Sequence, residues 1–178
     1  NGHTPSHGFK VGIGTLATTA LFERLLARGV ENLDVESCCA AWPDEETWVA
    51  RAGHLFGKGD LADVGVRELR AKYITHVQLS GQLKLLKEIW QGLRERLKAQ
   101  LLPLPTLRGM LRDAGAPTEP EQIGLTRERL RQTYWQASCI RRRFTVLDLA
   151  IQTGLLEACL DDIFGPAGMW PLEVPIKK

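Results

Sequence analysis

Two groups with the means to do chemistry stand close together near the start of this chain. His7-Gly8 leads into Phe9-Lys10-Val11-Gly12-Ile13-Gly14-Thr15, which places an imidazole and an ammonium three residues apart. An imidazole nitrogen is a good ligand for zinc, nickel or iron, and a lysine one helical turn away can meet a phosphate. The same stretch contains Gly12-Ile13-Gly14-Thr15-Leu16-Ala17, whose glycine spacing matches a dinucleotide-binding turn. A third reading treats the apolar spacing as core alone, with His7 at its edge and Lys10 in solvent.

The dinucleotide reading needs a buried strand that delivers the glycine turn to a helix N-terminus, where free N–H groups and the helix dipole receive the pyrophosphate. The residues before Gly12 are Thr4, Pro5, Ser6, His7, Gly8, Phe9, Lys10 and Val11, too polar and too interrupted for such a strand. Asp34 stands near the distance of a ribose-binding acid, but after a further helical stretch instead of at the end of a second strand. Helix-start signals fit better. Thr4 is suited to the N-cap and Pro5 to the first helical position, with Gly29 as the C-terminal stop.

Within that helix His7, Lys10, Val11, Gly14, Thr18, Leu21 and Leu25 share one face by their three- and four-residue steps. Gly8, Gly12 and Gly14 each lower helix stability by about 1 kcal/mol relative to alanine, which predicts close approach of another helix or of a ligand to the bare backbone.

The run from His7 to Thr15 resembles the His-Gly-Glu-Lys/Gln-Val motif of the iron-containing alcohol dehydrogenase and dehydroquinate synthase superfamily, and within it the sn-glycerol-1-phosphate dehydrogenase branch. Three further segments are similar to the C-terminal part of that branch: Leu111-Arg112-Asp113-Ala114-Gly115-Ala116-Pro117-Thr118, Ile123-Gly124-Leu125-Thr126, and Ile140-Arg141-Arg142-Arg143-Phe144-Thr145-Val146-Leu147-Asp148-Leu149. The resemblance spans nearly the whole chain.

It implies an all-α domain of the dehydroquinate synthase-like C-terminal type, which family members pair with an N-terminal nucleotide-binding domain. One divalent metal sits in the cleft between the two, held by an acidic residue and two histidines. Zinc is the expected metal, with nickel or iron as alternatives. The histidine of the His-Gly motif carries over to His7, and the other ligands fall upstream of this chain. NAD or NADP would bind mainly to the absent domain. The reaction implied is the interconversion of glycerol 1-phosphate and dihydroxyacetone phosphate, with Lys10 a candidate contact to the substrate phosphate. A homo-oligomer is expected of the full-length protein, and this piece alone is expected to be inactive. Phe9 departs from the family glutamate after His-Gly. Glycerol dehydrogenase and dehydroquinate synthase are the nearest alternatives.

The chemistry accords with these roles. The positive end of the helix dipole favours the neutral ring that metals bind, and a metal with open positions lowers the pKa of an alcohol so that hydride can leave for nicotinamide. His3 lies four residues before His7, but Pro5 and a cap at Thr4 put it outside the helix and off its face. His54 and His76 have no partner at ligand spacing and read as structural.

The elements that must position these groups are all helical. Short helices are predicted near 33–41 and 44–56, with Pro43 between them and Asp44-Glu45-Glu46 at the start of the second, and another over 60–73. Trp42 and Trp48 are assigned to the core. Leu79, Leu83, Leu86, Trp90, Leu93 and Leu97 mark a long amphipathic helix over 77–101, ended by Pro103 and Pro105. A helix near 106–114, a loop over 115–120, a helix near 126–141 and one or two more over 145–164 follow. Two-residue alternation is nowhere sustained, which predicts the all-α class.

At 178 residues the chain fits a single domain, and its 25% charged and 44% apolar residues are those of an ordinary soluble protein. A net charge of +2 is too small to imply a nucleic-acid partner. Arg127, Arg129, Arg131 and Arg141-Arg142-Arg143 are read as helical residues spread around the cylinder, in salt bridges on a solvated face. Cys38, Cys39, Cys139 and Cys159 show no metal-knuckle spacing. With neither a signal peptide nor an apolar run of membrane-spanning length, they suggest reduced thiols in the cytoplasm. The start at Asn1-Gly2 suggests a fragment or a processed product. Two classes of function remain: the metal-bearing helical domain of a polyol-phosphate dehydrogenase, or a helical interaction module in which His7 is incidental.

Overall fold

The computed structural model describes residues 5–172. Their regular structure is helical throughout, with no strand among the described residues, as the absence of alternation predicts. No helix among them is long and apolar enough to cross a membrane. The helices are α1 (His7–Arg28), α2 (Val35–Ala41), α3 (Glu45–Phe56), α4 (Asp60–Ala71), α5 (His76–Gln100), α6 (Leu104–Asp113), α7 (Arg127–Cys139), α8 (Val146–Gln152) and α9 (Leu156–Phe164), with a 3-10 turn at Pro120–Ile123. Two compact units divide the chain. One comprises the residues through Arg28, Arg94–Arg131 and those from Glu157 on, and the other comprises Gly29–Leu93 and Gln132–Leu156.

In the first unit α1 buries Ile13, Leu16, Ala17, Ala20, Leu21 and Leu25. Burial of each leucine or isoleucine favours the fold by roughly 1.5–3 kcal/mol. α6 begins two residues earlier than the sequence suggests, because Pro105 needs no N–H in the first turn and therefore starts this helix. The Leu104 N–H donates to Glu23 Oε1 at 2.6 Å, a side-chain acceptor for one free amide at the start of α6. Trp170, fully buried, packs against Phe164 with ring centroids 6.2 Å apart, and its indole N–H donates to the Thr118 carbonyl at 3.3 Å. Arg131 reaches Glu157 at 2.7 Å and Asp161 at 2.9 Å, while Arg28 reaches Asp162 at 2.8 Å.

The second unit is built on an aromatic and aliphatic core of Trp42, Trp48, Val49, Ala52, Leu69, Leu79 and Leu83. α2 and α3 start where Asp34 and Asp44 accept the backbone N–H of Ser37 and Thr47, at 3.0 and 2.8 Å. Trp42 and Trp48 lie 4.6 Å apart, and the Trp42 N–H donates to the Ile74 carbonyl at 2.9 Å. α4 ends at Ala71, two residues before the predicted end. Lys72 leaves the helix, and its ammonium donates to the Ser138 carbonyl and to Asp148 Oδ1, the latter at 2.5 Å. Asp148 also accepts from the Thr145 N–H at 2.8 Å, so one carboxylate both caps α8 and pairs the lysine.

One expectation is corrected and another is refined. α7 stops at Cys139, so Arg141, Arg142 and Arg143 lie in the loop before α8 and not on a helix. The capping box at Thr145 and Asp148 starts a new helix there, and the chain must leave α7 to reach it. The segment 115–120, read as loop, runs into the 3-10 turn, where Glu119 and Gln122 form a second capping box.

Candidate functional site

α1 begins at His7, two residues after the predicted start. Thr4, the predicted cap, lies outside the described residues, as does His3. Ser6 does the capping: its Oγ accepts the Phe9 N–H at 3.2 Å. His7 is therefore the first helical residue and Pro5 precedes the helix. Phe9 occupies the third helical position, where a carboxylate would return a hydrogen bond to the cap residue's own N–H. The phenyl ring leaves that capping box half made, and Phe9 is exposed.

The face predicted for His7, Lys10, Val11, Gly14, Thr18, Leu21 and Leu25 divides along its length. The first five are exposed, while Leu21 and Leu25 are fully buried. One line of the helix is thus open for about three turns and covered after them. Val11, Gly14 and Thr18 of the open part line a groove of about 460 Å³ together with Thr15, Thr19, Phe22 and Leu101 from beyond α5, whereas His7 and Lys10 lie before it on the helix and do not line it. Thr15 and Thr18 donate their hydroxyl protons to the carbonyls of Val11 and Gly14, both at 2.8 Å, so toward the groove they offer only methyl groups and lone pairs.

Close approach of another helix or of a ligand is the expectation from the glycines, and packing between helices among the described residues does not require them. A Cβ at Gly12 would meet Leu111 of α6 at an ordinary 3.7 Å, and one at Gly14 would meet nothing within 4 Å. At Gly14 the bare backbone faces open groove.

The cationic and ligating groups of the site are therefore His7 in the first turn and Lys10 one turn on. Both are exposed and without a partner among the described residues. An accessible imidazole suits one corner of a metal's coordination shell. It does not make a shell, and among the described residues no group of three His, Cys, Asp or Glu side chains could hold a metal ion. Of the other histidines, His76 is tied by Nε2–H to the Trp42 carbonyl at 2.8 Å, and His54 is exposed near the end of α3.

Of the arginines expected in salt bridges, Arg127, Arg131 and Arg142 are so paired, the last although its helix was misplaced, whereas Arg141 donates, among the described residues, only to the Ile140 carbonyl. Arg142 binds Glu68 in a fork at 2.9 and 3.0 Å, and Arg127 reaches Glu121 at 2.9 Å. Sequence reasoning did not single out Thr15 or Phe22, although their steps from Val11 and Thr18 were there to be read. Leu101 reaches the groove only through the fold, and no local signal marks it.

Comparison with family models, with curated proteins and with solved structures returns no match.

Proposed function

We propose that this chain is the helical, metal- and substrate-bearing part of an NAD(P)-linked oxidoreductase acting on a polyol phosphate and its ketone, with glycerol 1-phosphate and dihydroxyacetone phosphate as the expected pair. One observation carries the reading: an accessible imidazole and an accessible ammonium stand one turn apart on α1, in the turns just before an open groove lined by Gly14, Thr15, Thr18 and Thr19 among others. His7 serves as one metal donor, and the ion's remaining donors lie outside the described residues. A divalent metal there, zinc being the expected one, supplies polarisation of the substrate oxygen. Lys10 pairs with the substrate phosphate, and the bare backbone at Gly14 leaves room for the carbon chain.

The resemblance of His7-Gly8 and its following residues to the sn-glycerol-1-phosphate dehydrogenase branch supports the choice of substrate. Glycerol dehydrogenase and dehydroquinate synthase chemistry are separated from it by assay. In the longest protein that carries this chain, His7→Ala is expected to lose bound metal and to lower kcat/KM by at least ~100-fold. Lys10→Ala is expected to raise KM about tenfold for dihydroxyacetone phosphate and to leave that for dihydroxyacetone unchanged. Full metal content and full activity in the His7→Ala protein would remove His7 from the site and leave the helical interaction module as the reading.

A further inference from the structure

The second compact unit carries an apolar strip that no other described residue covers. α5 turns Val77 (83% exposed), Leu85 (55%) and Ile89 (47%) outward, and Phe144 (60%) stands out from the loop before α8. The opposite side of α5 buries Leu79, Leu83 and Trp90, so this helix is apolar on two faces where a surface helix needs only one. Helical spacing sets Gly81, Leu85, Ile89 and Gly92 in one outward line. A Cβ at Gly81 or Gly92 would meet nothing within 4 Å, so packing among the described residues requires neither glycine. Beside the line runs a groove of about 310 Å³ walled by Leu86, Leu93, Phe144 and Leu149.

We propose that a second copy of this chain docks on the strip, α5 against α5, antiparallel about a two-fold axis near Leu86. Charge selects this occupant. Lys84 and Glu88 lie one turn apart on the same edge of the strip, both exposed and without a partner among the described residues. In an antiparallel helix pair each edge faces the same edge of the other copy, so Lys84 meets Glu88 across the axis and the symmetry makes the pair twice. The same register brings Gly81 opposite Gly92 at both ends, where bare backbone lets the helices approach and Leu85 and Ile89 interleave between them. An acidic or a basic partner would leave one of the two charges facing its like. A single helix and one loop make a small interface, so the dimer is a weak one that forms at roughly 10–100 µM.

Sedimentation of the intact chain over about 1–200 µM tests this. Concentration-dependent dimerisation is expected, and Leu85→Glu with Ile89→Glu is expected to weaken it by ~100-fold or more while circular dichroism keeps its helical signal. Lys84→Glu alone and Glu88→Lys alone each set like charges across the axis and are expected to weaken self-association several-fold. Mixing those two variants restores association, because the hetero-pair again faces opposite charges. A chain that stays monomeric overturns the proposal, whether the strip is then bare or protected by another occupant in hydroxyl-radical footprinting. So does a dimer indifferent to the Leu85 and Ile89 changes. Failure of the mixed charge variants to associate overturns it as well.

Discussion

Glu68 and Arg142 show how much of this chain's electrostatics lies in long-range pairs. The side chain of Glu68 is largely enclosed and accepts a fork of two hydrogen bonds from the Arg142 guanidinium, which holds its carboxyl at about 2, well below the ordinary carboxylate range. A depressed carboxylate contributes stability that is complete above the unfolded pKa, here about 4.5, and fades as the pH falls toward 2. Glu68→Gln is therefore expected to be less stable than the parent at pH 7, with the gap closing between pH 4.5 and pH 2; urea midpoints across that range check it. A gap that stays constant with pH would mean that the pair does not fold with the ionised acid. The pairing was half legible: an arginine cluster in salt bridges was expected, but the partner stands 74 residues away and no spacing names it. His7 is the opposite case. Its residue type, its glycine neighbour and the resemblance were all local, and its position as the first helical residue and its exposure awaited the structure.

At the scale of elements, the periodic stripes and caps were readable and the points where the chain leaves a helix were not. The leucine and tryptophan series set α5 at 76–100 against a predicted 77–101. Acid at 44–46 marked the start of α3, where Asp44 indeed caps. The end of α7 escaped because nothing between Cys139 and Thr145 breaks a helix by itself; the break is made by the capping box that starts α8 and by Arg142 reaching across to α4. The packing of α3 against α4 gives a test of opposite signs on two helical glycines. A Cβ at Gly65 would fall 2.8 Å from that of Ala52, whereas at Gly53 nothing lies within 4 Å. Gly65→Ala is expected to destabilise by about 1–3 kcal/mol through overpacking, and Gly53→Ala to stabilise by up to about 1 kcal/mol through helix propensity. Thermal or urea unfolding of the two variants decides the matter. Equal effects of the same sign would show that α3 and α4 do not meet at Gly65.

Over the whole molecule, thiol accessibility reports on each compact unit separately. Cys159 belongs to the first unit and Cys139 to the second, and both are completely buried. Burial pushes the Cys159 thiol up to about 11 and raises that of Cys139 as well, so neither is a ready thiolate at neutral pH. Cys38 and Cys39 are half-buried on α2. Alkylation at pH 8 followed by mass spectrometry is expected to label Cys38 and Cys39 first, with Cys139 and Cys159 modified at least ~100-fold more slowly until denaturant opens their unit. Early labelling of Cys139 or Cys159 would contradict the packing of the unit that holds it.

Composition, periodicity and cap residues determined by themselves that this chain is helical, roughly where its helices run, and that His7 and Lys10 share a face. Those properties depend on neighbours within four residues, and a helix is made of such neighbours. Tertiary structure alone decided that this face of α1 is open at His7 and closed at Leu21, that Arg142 belongs to Glu68, that Lys72 belongs to Asp148, and that a second apolar face of α5 stays exposed among the described residues. Each depends on which distant surface arrives to bury a group or fails to, and a side chain carries no local mark of that.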